Sequence, residues 1–105
     1  MNLELKPNTV IVSVLEPIDL KKMLFEDNQK DEVARVVGVQ CDAVYNKVKI
    51  LKAPKQSEAD LTKQLSIKEG DICILAAGAI SIVNREANVT LGFAYIENLL
   101  AKIVD

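Results

Sequence analysis

Histidine and tryptophan are absent from this sequence, and its aromatic side chains amount to two tyrosines and two phenylalanines. Without histidine, the chain lacks the side chain that most often acts as a general acid or base near neutral pH, and it has no histidine-containing metal site. The glycines occur singly and form no phosphate-binding loop; they are Gly38, Gly70, Gly78 and Gly92. These absences predict a protein that is not an enzyme and needs no cofactor or metal.

Cysteine is also scarce. Cys41 and Cys73 are too far apart in the sequence to form a C-x-x-C pair. Cys73 lies inside the apolar run Ile72–Leu75, which predicts a small, buried hydrophobic side chain. For Cys41 the sequence leaves two interpretations open, a buried side chain and a free thiol at the end of a strand.

An excess of positive charge and long apolar runs are missing as well. The 13 basic and 15 acidic residues give a formal net charge of −2. Nucleic acids and anionic membranes attract basic proteins, so we expect neither as a partner. No apolar run approaches the roughly 18 residues that cross a bilayer, and the first residues lack the basic-then-apolar pattern of a signal peptide. We therefore expect a cytoplasmic protein.

The chain has 105 residues, half of them hydrophobic, and most of its hydrophobic residues are aliphatic. That length suits one domain, 1–105, with a core of Val, Ile, Leu and Ala. The spacing of the β-branched runs predicts an all-β domain, a small and partly open β-barrel. The predicted strands are 9–15, 32–39, 71–75, 78–83, 89–93 and 101–104.

Proline and turn-forming residues in the sequence predict where these strands begin and end. Pro17 is expected to end the first strand, whose core face would carry Val10, Val12 and Val14. The turn Lys68–Asp71 is expected to lead into the strand 71–75. The polar run 84–88 is expected to form the turn after 78–83, and residues 95–100 a turn or short helix.

The segment 16–31 interrupts the β pattern. It is highly charged and carries one apolar triplet, Met23-Leu24-Phe25. A long connection with a lone apolar cluster is either a packed loop or a binding segment. One interpretation is a short helix over 18–25 that packs on the barrel, and the other is a mobile contact loop.

The segment 42–66 is the second interruption. Residues 44–51 predict a strand that ends before Pro54. Residues 57–65 predict a helical turn, since Ser57 followed by Asp60 is a weak capping signal. The lysines of this segment are matched by acidic residues and indicate a solvated face.

Five segments follow one another in a characteristic order. They are Pro7–Val12, the triplet Met23-Leu24-Phe25, Arg35–Val39, Ser66–Ile74 and Ile96–Val104. Taken in the same order, they resemble five segments of the GroES co-chaperonins. The family segments are the first strand, the apolar tripeptide of the mobile loop, the G-x-V-x-A-V-G strand, the V-K-x-G-D-x-V strand entry and the E-x-D-I-L-A-I closing segment. The resemblance covers nearly the whole chain outside 42–66.

The chain also departs from the family pattern. Lys21 and Lys22 stand where the family has glycines before the tripeptide, and Ala79 stands where an aromatic residue is common. The excursion 42–66, the candidate for the family's roof hairpin, is longer than that hairpin. These departures fit a divergent or virus-encoded member.

The resemblance implies a function without catalysis. Such proteins form a seven-subunit ring that caps an ATP-driven, GroEL-type chaperonin ring and assists protein folding. Met23, Leu24 and Phe25 would contact the chaperonin. The ring contacts of the family, made by its first and last strands, would fall on four apolar residues, Leu3, Leu5, Leu100 and Ile103.

Two alternatives stay open at this point. The four apolar residues could instead fill the core of their own subunit. The chain could also be a structural or assembly β-barrel protein without a chaperonin partner. A stand-alone oligonucleotide-binding barrel is disfavoured, because it would need a basic groove and exposed aromatics.

Overall fold

The structure is a computed structural model that describes residues 3–19, 44–86 and 89–104. This part of the chain is predominantly β, as predicted. It contains one single-turn helix, α1 (Glu58–Leu61), and 3-10 turns at Ala77–Ala79 and Ile96–Asn98. Its strands are β1 (Thr9–Ile18), β2 (Tyr45–Lys52), β3 (Ile72–Ala76), β4 (Ser81–Glu86), β5 (Val89–Tyr95) and β6 (Leu99–Lys102).

The six strands form one antiparallel sheet in the order β4-β5-β1-β2-β3-β6. The prediction of a small all-β domain is therefore confirmed. Among the described strands, β4 and β6 are the two edges and do not pair with each other, so the sheet is open. No helix in the described part of the chain is both long and apolar enough to span a membrane.

The sheet must curve strongly, because β5 and β6 are joined by only three residues, 96–98. Four inter-strand steps separate these two strands along the sheet, about 19 Å if the sheet were flat. The chain from Tyr95 to Leu99 can span at most about 14 Å. A backbone hydrogen bond of 2.8 Å from Ile96 to the carbonyl of Asn8 fixes this connection against the start of β1.

The core lies on the concave side, where alternate residues of neighbouring strands meet. Val10 and Val12 of β1 are fully buried, and Val14 packs against the core, as their alternation predicts. Val12 pairs with Ile50, and Val48 pairs with both Val14 and Cys73. Cys73 is fully buried, as predicted, whereas Cys41 lies outside the described residues.

The prediction that Pro17 ends the first strand is wrong. β1 continues to Ile18, and Pro17 pairs with Asn46 of β2. The pairing of β1 with β5 stops at Val14, so in the described structure this stretch of β1 has a partner on one side only. Proline is tolerated there because its missing N–H can face the unpaired side. The predicted loop 16–31 therefore begins three residues too early.

The predicted boundaries of two further strands, β4 and the last strand, are also wrong. Residues 77–79 form a 3-10 turn, so β4 begins at Ser81 rather than at Gly78. β4 extends to Glu86, because Asn84 and Arg85 pair with β5 despite their polarity. The last strand is 99–102 rather than 101–104, since the pairing of Leu99 with Leu75 already buries Leu99. The predicted strand 32–39 lies outside the described residues.

The segment 44–66 is a central strand followed by a helical turn, not a hairpin. β2 lies between β1 and β3, as the predicted strand 44–51 suggested. Ser57 caps α1, since Ser57 Oγ accepts from the Asp60 N–H at 3.1 Å and the Asp60 carboxylate accepts from the Ser57 N–H at 2.9 Å. The hydrogen bonds from the Ser57 backbone and side chain lower the pKa of Asp60.

The predicted turn before β3 is confirmed. The Asp71 N–H donates to the Lys68 carbonyl at 3.1 Å, and the Lys68 N–H donates to the Asp71 carboxylate at 2.9 Å. Gly70 has a φ of +94°, a conformation that side chains with a Cβ rarely adopt. Its N–H donates to the carbonyl of Ile50 at 2.8 Å, which joins the turn to the end of β2.

Candidate functional site

The connection between β1 and β2 is the first unusual feature of this fold. The two strands are antiparallel neighbours, and Ile18 at the end of one pairs with Tyr45 at the start of the other. The 26 residues from 19 to 44 join these paired ends, whereas hairpin loops usually have about two to five. We call residues 19–44 the insert. Connections of this length in compact domains are usually either functional segments or linkers.

The predicted chaperonin contacts belong to the insert. Met23, Leu24 and Phe25 lie outside the described residues, as do Lys21 and Lys22. The base of the insert is held by the β1–β2 ladder and by an ion pair of 3.2 Å between Lys47 and Glu16. Both side chains of that pair are partly exposed, so the pair contributes about 0–1 kcal/mol, and the ladder is the main anchor.

The predicted interface residues Leu3 and Leu5 lie together. With Pro7 they form one wall of a groove of about 410 Å³, and residues 52–55 form the other. We call this the terminal groove. Leu3 is 55% exposed and Leu5 is half-buried. The interpretation that Leu3 fills the core of its own subunit therefore does not hold.

Leu100 and Ile103 form a second group, in and just after β6. Leu100 is 56% exposed, so it does not fill its own core either, and Ile103 is half-buried. The Ile103 N–H donates to the carbonyl of Ile72 at 2.8 Å. Lys102 Nζ donates to the carbonyl of Ser66 at 2.8 Å, which fixes β6 to the segment before β3. The structure thus places Leu3 and Leu5 in the terminal groove, and Leu100 and Ile103 in and just after β6.

A third apolar surface was missed by the sequence analysis. Large side chains occupy the outward face of β5, and the exposed ones include Phe93 and Tyr95. The inward face of the same strand carries Gly92 and Ala94. A Cβ on Gly92 would lie 2.7 Å from Ile80 Cγ2 and 2.8 Å from the Ser81 carbonyl oxygen. The inward face of β5 has no room for a larger side chain at this position, so the large residues point outward. The alternation of large and small residues in V-T-L-G-F-A-Y is the sequence signal that could have predicted this exposed face.

Cys73 is a poor candidate for a nucleophile. Burial, with a smaller effect of the Asp71 carboxylate, raises the pKa of its thiol from 9.0 to about 11, against the opposing effect of Lys102. The reactive form of cysteine is the thiolate. The thiol therefore stays protonated at neutral pH and acts as a packing group.

This gives a testable expectation for the Cys41→Ser variant. At pH 8, native protein should react with an aromatic disulfide reagent at least about a hundredfold more slowly than urea-unfolded protein, since the raised pKa alone lowers the thiolate fraction by about that factor. Absorbance of the released thiolate measures both rates. Equal rates would show that Cys73 is accessible and would contradict its assignment to the core.

Comparison with known proteins gave no match, neither to a protein-family model, nor to a curated protein, nor to a solved structure. Within the described ranges, no three acidic or cysteine side chains cluster as a metal site would require. The candidate functional features are therefore an insert held at a fixed base and exposed apolar surfaces. Exposed apolar surfaces are common at sites that bind other proteins, membranes or ligands.

Proposed function

We propose that this protein is a GroES-like, cytoplasmic co-chaperonin whose identical subunits form a ring, a heptamer, that caps a GroEL-type chaperonin. The observation that carries the proposal is the insert. Two neighbouring strands with paired ends are joined by residues 19–44, and the sequence of this connection contains one apolar triplet among charged residues. This layout matches a contact loop projecting from a small β-domain.

The order of the described elements supports the same proposal. β1 leads into the insert, β2 returns to the sheet, and the turn with Gly70 leads into β3. The resemblance assigned residues 35–39 to the strand between β1 and this turn. In the structure, β2 occupies that position. Those residues accordingly fall within the insert, which is longer than the loop predicted from the sequence.

Energetics explain why such a contact would be reversible. Burial of Met23, Leu24 and Phe25 would contribute roughly 1.5–3 kcal/mol per side chain. Ordering a segment on binding costs roughly 2–5 kcal/mol, so one subunit binds weakly. Several subunits in one ring bind far more tightly, because each later contact is effectively intramolecular. A cap of this kind can be held firmly and still released in every ATP cycle of its partner.

The ring contacts are assigned to the terminal groove and to β6. Leu3 and Leu5 line the terminal groove, whereas Leu100 and Ile103 belong to β6 and the residue that follows it, so a contact between these unlike regions can repeat around a closed ring. Among the described strands β6 is an edge of the sheet, and an apolar edge strand tends to pair with another chain unless it is covered. The alternative function, a structural or assembly protein, would use the same edge without a chaperonin.

Native mass spectrometry and size-exclusion chromatography test the proposal. We expect a seven-subunit ring at micromolar concentration that co-elutes with a GroEL-type chaperonin only when ATP is present. Leu100→Asp should abolish the ring, whereas Val83→Asp, at an exposed position of the opposite edge strand, should preserve it.

The possible outcomes separate the candidate functions. A ring that ignores the ATP-loaded chaperonin would favour the assembly protein. A strictly monomeric protein would contradict the ring and, with it, the co-chaperonin proposal.

A further inference from the structure

A small pocket lies beside the outward face of β5. Its walls include Phe93 and Tyr95, and it has a volume of about 210 Å³. Strand pairing builds it, since Thr9 of β1 lies opposite Tyr95, and Ser81 of β4 lies opposite Phe93. Among the described residues that line this aromatic pocket, Lys6 is the one with a charge. Small-molecule sites usually have roughly 300–1,000 Å³, so the pocket suits one apolar side chain.

The same face of the sheet carries lysines. Residues that lie opposite each other in an antiparallel sheet share a face. Phe93 of β5 pairs with Ile11 of β1, which in turn pairs with Lys52 of β2. In the next row of this face, Ser13 of β1 pairs with Lys49 of β2. Two inter-strand steps separate β5 from these lysines, a distance of about 10 Å.

The charge of this face differs from that of the whole chain. The paired segments 9–14, 48–52 and 90–95 contain no acidic residue, although the chain has a formal net charge of −2. Lys49 and Lys52 are exposed. Lys52 Nζ lies 3.6 Å from a carboxylate oxygen of Glu69, and both side chains are about half-exposed. An exposed pair of this kind is weak, so Lys52 can exchange Glu69 for a carboxylate of a partner.

We propose that this face binds an extended, acidic segment of a partner protein, with one apolar side chain of the segment in the aromatic pocket and its carboxylates on Lys52 and Lys49. Charge complementarity identifies the partner. An extended peptide advances about 3.3 Å per residue, so an acidic residue about three positions beyond the apolar side chain reaches the row of lysines. The inference goes beyond the proposed cap and does not depend on the ring.

A nucleic acid suits this face less well than an acidic peptide does. Proteins that bind single strands combine stacking aromatics with a positively charged groove that follows the phosphate backbone. This face offers two lysines of β2 and Lys6 beside the pocket, and the net negative charge of the chain opposes the approach of a polyanion. A peptide with two carboxylates needs only the local match.

Fluorescence anisotropy with a labelled peptide tests the charged part of the contact. The peptide contains a leucine that is followed, after two serines, by two glutamates. Lys49→Glu should raise its dissociation constant at least about fivefold, because an attraction becomes a repulsion. Lys63→Glu makes the same change in net charge at an exposed position after α1 and should stay within about twofold of wild type. Protein with both Lys49→Glu and Lys52→Glu should instead bind a peptide that has lysines in place of the glutamates.

Truncation of an aromatic side chain tests the pocket. Phe93→Ala should raise the dissociation constant of the same peptide at least about tenfold, since buried aromatic side chains dominate such contacts. Val89→Ala, at an exposed position of the same strand outside the described pocket lining, is the matched control and should leave binding unchanged. Thermal melting shows whether each variant is folded, and Tyr95→Ala, at a more exposed position, provides a second test of the pocket.

The outcomes separate this inference from the proposed function. Absence of saturable peptide binding, or equal effects of Lys49→Glu and Lys63→Glu, would overturn it. Oligothymidylate that binds more tightly than the peptide would replace the acidic segment by a nucleic acid and would also overturn it. Peptide binding with the expected variant effects in a protein that forms no ring and caps no chaperonin would support this inference and contradict the proposed function.

Discussion

Leu24→Asp is expected to abolish capping of an ATP-loaded chaperonin while leaving the melting temperature and the mass of the ring unchanged. In the proposed function Leu24 belongs to the insert and is buried only on contact with the chaperonin. Losing that burial removes roughly 1.5–3 kcal/mol in each subunit, and the loss recurs at every contact of a multivalent cap. Size-exclusion chromatography with chaperonin and ATP measures capping, and calorimetry measures stability.

Leu15→Asp provides the matched control for this variant. Leu15 is an exposed apolar residue of β1 near the base of the insert, and its replacement should leave capping intact. The competing interpretation packs residues 18–25 on the barrel as a helix. In that case Leu24→Asp would bury a charge and lower the free energy of unfolding by several kcal/mol. A strongly destabilised variant, or a stable one that still caps normally, would refute the assignment of the triplet.

Gly92→Ala is expected to lower the free energy of unfolding by about 1–3 kcal/mol. A Cβ at this position would lie 2.8 Å from the backbone carbonyl oxygen of Ser81, as well as close to the side chain of Ile80. The backbone atom belongs to the adjoining strand of the sheet and cannot rotate away as a side chain can. For a domain of this size the melting temperature should fall by roughly 5–20 °C, and Gly92→Val should cost more.

Gly78→Ala is the control, because a Cβ at Gly78 would have no heavy atom within 4 Å. It should change the free energy of unfolding by less than about 0.5 kcal/mol. Thermal unfolding followed by circular dichroism measures both variants. If the Gly92→Ala variant melted at the wild-type temperature, that result would contradict the close packing between β5 and the Ile80–Ser81 segment.

Features that depend on neighbouring residues were predictable from the sequence alone. The capping box joins Ser57 to Asp60, and the turn before β3 joins Lys68 to Asp71, so each forms within four residues. The alternation of Val10 and Val12 predicts a buried face because side chains of a strand point alternately to opposite sides. The resemblance also implied interface roles for Leu3, Leu5, Leu100 and Ile103. It implied chaperonin contacts for the apolar triplet, which lies outside the described residues.

Features that depend on distant partners required the tertiary structure. Pro17 remains in β1 because Asn46 pairs with it, and polar Asn84 and Arg85 remain in β4 because β5 pairs with them. The exposure of Phe93 and Tyr95 follows from the approach of Ile80 to Gly92, which leaves no room on the other face of β5. The sequence determined that this is a small β-domain with a charged insertion and apolar end segments. Only the pairing of strands far apart in the chain decided where β1, β4 and β6 end and which face of β5 has no room for a large side chain, because both depend on residues that are distant in the sequence.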